Sequence, residues 1–336
     1  MTHKTIKILY VTNMYPDRPG SYSGIFIKRE IDELQKLGLS IDYLLINGKE
    51  NKLSYLNLFS IWKKLKQQYD VLNVQHSFLL PHVLFLKKIL QLDIPVVFTL
   101  HEGELGKNEK EKNLYLSLAH SKFWRRPLYR RVDLIIAKNI DVYQNLGVTT
   151  NCIEIPTGVD TELFKPIDKQ IARTNLQLSD ADVILFFPAD RNRPEKNFTF
   201  VEGLVPELKK MLKTEVVLIS GPQPYEKMIW LYNAADLIVF PSLHECSPVV
   251  IKEAMACNRP IVTSNVGDIK RVVGNTNGCY VLDGWDAKEY LLKIGEALKL
   301  QSTQGRKTLF DQGYDWPTIG KKIYDAMVNI IDSYSK

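Results

Sequence analysis

Short apolar runs recur along the first half of the chain, each bounded by polar or turn-forming residues. Ile6–Val11, Ile41–Ile46, Val71–Val74, Val96–Leu100, Leu134–Ala137 and Cys152–Ile155 are rich in Val, Ile and Leu and too short for helices. Segments with helical spacing lie between them, among them Ile25–Leu37, stopped by Gly38, and Leu80–Leu90. Fully apolar strands alternating with helices predict a parallel sheet covered on both faces. The pattern restarts at Val183–Phe187 and continues through Val216–Ser220, Leu237–Phe240, Ile261–Thr263 and Tyr280–Leu282. Between Gly221 and Leu237 there is room for a single helix, so the second sheet is compact. Pro156-Thr-Gly-Val-Asp160-Thr-Glu-Leu-Phe164-Lys-Pro166 separates the two sets, and its Pro and Gly suit a linker. The expectation is an α/β protein of two doubly wound, Rossmann-like domains, residues 1–160 and 161–316, with a terminal amphipathic helix near Pro317–Ser333. Such a pair places a cleft between the carboxyl ends of the two sheets, where ligands bind in these folds.

Composition narrows the class. The 336 residues suit two domains, and the 45% apolar content suffices for two cores. No apolar run reaches the roughly 18 residues of a spanning helix, and the start, Met1-Thr-His-Lys-Thr-Ile-Lys7, leads directly into a strand. The four cysteines, Cys152, Cys246, Cys257 and Cys279, have no C-x-x-C spacing and read as reduced thiols of a cytoplasmic protein. The net charge of +6 favours anionic ligands, but the basic residues are scattered and no nucleic-acid motif is present.

The candidate chemistry gathers at predicted strand ends. Pro241-Ser-Leu-His-Glu245-Cys-Ser247-Pro248-Val249 follows one strand and leads into a helix expected to run to about Cys257, with Ser247 as its N-cap and Pro248 in its first turn. Asn258 suits the left-handed stop, and Pro260 blocks continuation. Glu245 then sits in a loop and Glu253 one to two turns inside the helix, whose positive end attracts phosphate while carboxylates suit hydroxyls. That combination fits an anionic, hydroxyl-rich ligand such as a nucleotide sugar; two solvated glutamates on a core helix are the plainer reading. Arg191 and Lys196 follow the strand Val183–Phe187. Gly24, in Tyr15-Pro16-Asp-Arg-Pro-Gly20-Ser-Tyr-Ser-Gly24, follows the first strand and opens a helix, where glycine allows close backbone approach. His76 and His101 each stand just past a predicted strand.

The spacing Glu245-x7-Glu253 within Pro-Ser-x-x-Glu…Glu-Ala-Met-Ala-Cys-Asn-x-Pro-Ile-Val, with the Arg191-x4-Lys196 pair and the Pro-x-Gly-Val-Asp linker, resembles the retaining glycosyltransferases of family 4. The wording Lys-Glu-Ala-Met-Ala-Cys-Asn…Val-Gly-Asp looks most like members that build bacterial surface polysaccharides of teichuronic-acid or capsule type. The resemblance implies a GT-B fold, with an N-terminal acceptor domain and a C-terminal nucleotide-sugar domain facing across a cleft. It also implies a last helix, 317–336, that crosses back onto the first domain. On the same basis Arg191 and Lys196 hold the donor pyrophosphate, Glu245 the donor sugar and Glu253 the ribose. Ser247, Pro248 and Val249 hold sugar and phosphate, Gly221 lies beside the base and Gly24 beside the donor. His101 faces the transferred sugar, and His76 lies toward the acceptor. UDP is the expected nucleotide, and transfer proceeds without a covalent enzyme intermediate.

No metal is expected. Asp180-Ala-Asp182 has the form of a metal motif but precedes its strand, and Arg191 and Lys196 supply the charge a metal would otherwise supply. The stretch Lys122–Arg131, with Trp124, Arg125, Arg126, Arg130 and Arg131, suits peripheral contact with an anionic membrane face, as does Trp62-Lys-Lys-Leu-Lys66. Three positions depart from the commoner family pattern: Asp268 in place of a second glycine, Arg271 in place of glutamate, and Lys138 in place of serine. The rival readings are a catalytically silent sugar-nucleotide-binding subunit and another GT-B enzyme acting on a small-molecule acceptor.

Overall fold

A computed structural model describes residues 5–16, 21, 23–47, 54, 57–101, 122–139, 151–221 and 223–334. They divide into two compact units, one running to Pro156 and regaining the chain from Pro317, the other spanning Thr157–Trp316. The boundary falls four residues before the predicted 160/161 junction. Thr157–Asp160 belongs with the second unit because Val159 pairs with its far end: Val159 N–H donates to Tyr314 O and Trp316 N–H to Val159 O.

The first unit holds a six-stranded parallel sheet of β1 (Lys7–Thr12), β2 (Ser40–Leu45), β3 (Val71–Val74), β4 (Val96–Leu100), β5 (Leu134–Ala137) and β6 (Cys152–Glu154), in the order β2-β1-β3-β4-β5-β6. The central strands β3, β4 and β5 are buried throughout, whereas the edge strands β2 and β6 are only partly covered. This is why the central runs read as continuously apolar. Helices α1 (Ile25–Lys36), α2 (Leu58–Leu65), α3 (Leu80–Ile89) and α4 (Lys122–Tyr129) lie between the strands. The last helix of the chain, Trp316–Tyr334, lies against α1, where Gly320 approaches Glu33 so closely that a Cβ would sit 3.0 Å from its Cβ. At its other end Lys87 Nζ donates to Tyr334 OH at 3.2 Å.

The second unit has five parallel strands: β7 (Val183–Asp190), β8 (Val216–Gly221), β9 (Leu237–Phe240), β10 (Ile261–Ser264) and β11 (Cys279–Leu282), in the order β11-β10-β9-β7-β8. One helix, Tyr225–Ala234, fills the connection after Gly221, as the spacing required. Leu185, Phe187, Leu237, Val239 and Val262 from the sheet pack with Val201, Leu204, Leu208, Tyr290 and Ile294 from two helices to form the main core of this unit.

In both sheets the winding reverses beside the first strand, between β1 and β3 and between β7 and β9. Open α/β sheets bind ligands at the carboxyl edge beside such a reversal, because the connecting segments diverge there and leave a crevice. Of the predicted site residues, Gly24 lies on the segment after β1 and His76 just past β3. In the second sheet, Arg191 and Lys196 follow β7 and Glu245 follows β9.

Candidate functional site

The loop after β7 is shaped by its own side chains. Asp190 Oδ1 accepts from Asn192 N–H at 2.9 Å, Pro194–Lys196 forms a 3₁₀ turn, and Asn197 takes the left-handed conformation at φ 60°. The loop after β9 is laced to it. Leu243 N–H donates to Glu195 O at 2.8 Å, Ser242 Oγ lies 3.1 Å from the same oxygen, and Asn197 Nδ2 donates to Pro241 O at 3.3 Å. Across this seam Lys196 Nζ forms an ion pair with Glu245 Oε1, and Ser242 Oγ donates to that oxygen at 2.9 Å. The side chains of Lys196 and Glu245 are only 11% and 8% exposed, so each depends on the other for charge compensation. Arg191 is exposed and makes no ion pair or hydrogen bond among the described residues. The loop after β7 thus carries an exposed guanidinium, unpaired among the described residues, and a cation that is held by a carboxylate.

The helix after this loop is α8 (Val249–Ala256), the fourth helix of the second unit after α5 (Lys169–Leu176), α6 (Phe198–Leu212) and α7 (Tyr225–Ala234). Ser247 is not its N-cap. Pro248 holds that position in extended conformation, and no side chain caps the helix. Ser247 Oγ is engaged elsewhere: it donates to Asp268 Oδ2 at 2.7 Å and accepts from Lys252 Nζ at 2.5 Å. The first N–H groups of the helix are therefore left without a side-chain acceptor, an arrangement suited to an anion. The predicted stop holds, with Asn258 at φ 55°.

Glu253 lies on the buried face of α8 with 2% exposure. Burial pushes its carboxyl up to about 7; a hydrogen bond from Tyr232 OH at 2.7 Å opposes that rise, and nearby Asp160 adds to it. Oε2 takes the Tyr232 bond, and among the described residues no hydrogen bond engages Oε1.

Lys252, one position earlier, is fully buried. Its Nζ donates to Thr157 O at 2.9 Å and lies 3.4 Å from Asp268 Oδ2, with both side chains at 0% exposure. Asp268, the departure from glycine, thus gives Lys252 its counter-charge and fixes Ser247. Gly267 explains why the loop at Glu245 can lie so close. Its φ is +61°, and a Cβ there would fall 2.4 Å from Cys246 O and 2.9 Å from Glu245 O. Gly221, at the end of β8, would admit a Cβ at ordinary contact distance from Ala189 O, so the fold makes no steric demand for it.

In the first unit, Gly24 starts α1 at φ +72°, and a Cβ would meet Met14 C and Tyr15 N at 2.6 Å. The glycine is required by the chain's own backbone, whatever a ligand adds. His76 Nδ1 accepts from Phe78 N–H at 3.2 Å. His101 is 8% exposed, tilted against the Phe26 ring, with its Nε2 2.6 Å from Gln75 Oε1. Lys138, the departure from serine, is buried in an ion pair with Glu30 at 3.0 Å. Burial, Lys138 and His76 together hold the His101 imidazole well below its ordinary range.

Asp180 and Asp182 precede β7, at the amino end of the strand and away from Arg191. Among the described residues there is no group of three His, Cys, Asp or Glu side chains able to hold a metal ion. All four cysteines are unpaired. Of the basic stretch, Arg126, Arg130 and Arg131 are exposed, while the side chains of Trp124 and Arg125 lie outside the described residues. Among the described residues no helix is long and apolar enough to cross a membrane.

Two family models match the chain: "Glycosyltransferase Family 4" over residues 26–163 and "Glycosyl transferases group 1" over 187–299. The chain belongs to glycosyltransferase family 4. This family 4 chain is 26% identical over 227 residues to an MMP alpha-(1->4)-mannosyltransferase of Mycolicibacterium hassiacum, covering 58% of the chain and 54% of that relative. It is 26% identical over 172 residues to a D-inositol 3-phosphate glycosyltransferase of Segniliparus rotundus, covering 43% and 38%. The matches thus span about half or less of each relative. Solved structures agree over nearly the whole length. Sucrose-phosphate synthase of Thermosynechococcus elongatus superposes with TM-score 0.76 at 15% identity, covering 98% of the chain and 100% of that structure. Anabaena HepE in complex with UDP-glucose superposes with TM-score 0.67 at 18% identity, covering 96% and 100%. The fold of the family 4 chain is therefore GT-B.

Four interacting residues had a partial signal in the sequence. Lys252 is a charge inside an otherwise apolar helix face, Lys138 a charge at the end of an apolar strand, and Asp268 a departure from glycine. Gln75 sits beside His76, in plain view. What the sequence withheld was their partners, such as Asp268 for Lys252, Glu30 for Lys138 and His101 for Gln75, which are 16, 108 and 26 positions away.

Proposed function

We propose that the chain transfers a sugar from a nucleotide-sugar donor to a hydroxyl acceptor with retention of anomeric configuration, in the assembly of surface polysaccharide or glycolipid. UDP is the proposed nucleotide, in keeping with the UDP and UDP-glucose complexes of HepE. The observation that carries the reading is the seam at the reversal of the second sheet, where the loop after β7 carries exposed Arg191 and the Lys196–Glu245 pair.

In this reading the donor pyrophosphate meets Arg191 and draws Lys196 from Glu245. Each charged hydrogen bond contributes about 1.5–3 kcal/mol. Glu245, still held by Ser242, then accepts from hydroxyls of the donor sugar. The N–H groups of Ser247 and Val249 hold sugar and phosphate, while Pro248, which has no N–H, fixes the entry into the helix. Glu253 accepts from the ribose, and Gly221 lies beside the base. In the first unit, His101 contacts the transferred sugar, Gly24 the donor, and His76 the acceptor.

The bond from the anomeric carbon to the phosphate oxygen breaks with its electron pair on that oxygen. The acceptor oxygen forms the new bond on the same face, and its proton passes to the departing phosphate. The products are a glycoside and a nucleoside diphosphate, with no covalent intermediate on Glu245. Charge developing on the phosphate is stabilised by Arg191 and Lys196, in the place a metal occupies in other transferases. Contact of Arg126, Arg130 and Arg131 with anionic lipid belongs to the same proposal, and vesicle flotation tests it.

The deciding experiment is a calorimetric screen of nucleotide sugars followed by NMR of the product's anomeric configuration, with and without a chelator. Retention that survives the chelator, and is lost in Arg191→Ala and Lys196→Ala, supports the reading. An inverted product, or unchanged turnover in both variants, overturns it.

A further inference from the structure

A chain of buried polar groups crosses the carboxyl ends of four neighbouring strands of the first sheet. Tyr10 of β1, Gln75 past β3 and Lys138 past β5 meet at Glu30 of α1, and His101 past β4 joins them through Gln75. Tyr10 OH donates to Glu30 Oε1 at 2.9 Å, Gln75 Nε2 lies 3.5 Å from the same oxygen, and Lys138 Nζ donates to Glu30 Oε2 at 3.0 Å. Tyr10, Gln75, Glu30 and Lys138 are all 2% exposed or less. A buried ion pair contributes little stability against an apolar pair of equal volume, so its presence here calls for another reason.

The hydrogen-bond arithmetic supplies one. A carboxylate only accepts, so the Gln75 amide turns its NH₂ toward Glu30 and its oxygen toward His101. An amide oxygen also only accepts, so His101 Nε2, at 2.6 Å, must carry the hydrogen. Nδ1 then bears a lone pair whenever the ring is neutral, and no hydrogen bond engages it among the described residues. The charged and titratable groups facing the ring among the described residues are Lys138 and His76, with Glu30 behind Gln75; Phe26 closes another side. Lys138 opposes a second positive charge on His101, and its pairing removes most of the attraction that Glu30 would exert.

We propose that Gln75, Glu30 and Lys138 are positioning residues that lock His101 as the neutral, Nε2-protonated tautomer, so that Nδ1 accepts a hydrogen bond from a hydroxyl of the transferred sugar. The second half rests on the reading that His101 contacts that sugar. His101 then offers the sugar an acceptor rather than a cation.

The test is a long-range ¹H–¹⁵N spectrum of the full-length, ¹⁵N-histidine-labelled protein, with His101 assigned through His101→Asn. The expected spectrum has a protonated Nε2, a bare Nδ1 and no titration from pH 8 down to pH 5. A protonated Nδ1, or titration within that range in the unaltered protein, overturns the proposal without reference to activity. Gln75→Glu sets a carboxylate against Nε2 and moves the ring's titration into the range. Turnover should then fall about tenfold for each pH unit below the new midpoint, while the parent stays flat. Lys138→Met, which removes the opposing charge, should move His101 the same way and serves if Gln75→Glu fails to fold. If the tautomer is as expected but Gln75→Glu titrates without a matching loss of turnover, the lock stands and the sugar contact of His101 is refuted.

Discussion

Glu253→Gln separates what the second unit needs to fold from what it needs to bind. The carboxyl moves from an ordinary 4.5 to about 7 on burial, and a change of one pH unit corresponds to about 1.4 kcal/mol, so the native state bears about 3 kcal/mol for holding Glu253 ionised. The sign follows from proton counting. Between pH 4.5 and 7 the native state binds more protons than the unfolded chain, so stability falls as pH rises through that interval. The cost is absent below about 4.5 and fully present above 7. Glutamine keeps the shape and can still accept from Tyr232 OH, but carries no charge. At pH 8 the variant should be more stable by up to about 3 kcal/mol, which for a domain of this size raises the melting temperature by roughly 5–10 °C. At pH 5 the two proteins should melt nearly together. Nucleotide binding should move the other way, weakening about ten- to a hundredfold with the loss of a charged acceptor for the ribose. Urea or thermal denaturation from pH 5 to 8, with calorimetric titration of UDP, reads both effects. Parallel loss of stability by parent and variant across that range would refute the burial argument; unchanged UDP affinity would refute the ribose contact.

The other expectations concern the two loops and their support. Arg191→Ala should weaken UDP binding by about ten- to a hundredfold in calorimetry with no change in melting temperature, since the guanidinium is exposed and unpaired among the described residues. Asp268→Ala removes the counter-charge of buried Lys252, whose Nζ keeps its bonds to Ser247 and Thr157, and should cost about 3 kcal/mol in chemical denaturation. Adding Lys252→Met to that variant should restore much of the loss, and a simple sum of the two single effects would deny the pairing. Gly267→Ala forces a Cβ onto the carbonyls of Cys246 and Glu245, and should cost at least about 2 kcal/mol in stability and weaken UDP binding together with it.

Legibility in the sequence followed the range of the interaction. The Leu237–Phe240 strand, the Asn258 stop and the strand-end positions of Arg191, Glu245 and His101 rest on local periodicity and cap chemistry, and the structure places them so. Ser247 is the instructive failure. As a local signal it is a good N-cap, but Lys252 and Asp268 compete for its hydroxyl and take it, because a buried ammonium and carboxylate gain more from that oxygen than uncharged helix N–H groups do. The family resemblance gives Lys196 and Glu245 separate parts of the donor; in the fold they form a single neutral pair.

By itself the sequence determined two parallel α/β units, the residues at their strand ends and the family to which the chain belongs. Those follow from patterns repeating over a few residues and from motifs whose spacing is contiguous. Which charges meet was decided only by tertiary structure. Lys138 finds Glu30 across 108 positions and Lys196 finds Glu245 across 49, since strand order, and not chain order, sets which loops become neighbours. A buried charge must find its counter-charge wherever the topology brings one, so the partners of Lys138 and Lys252 could be known only once the sheets had been assembled.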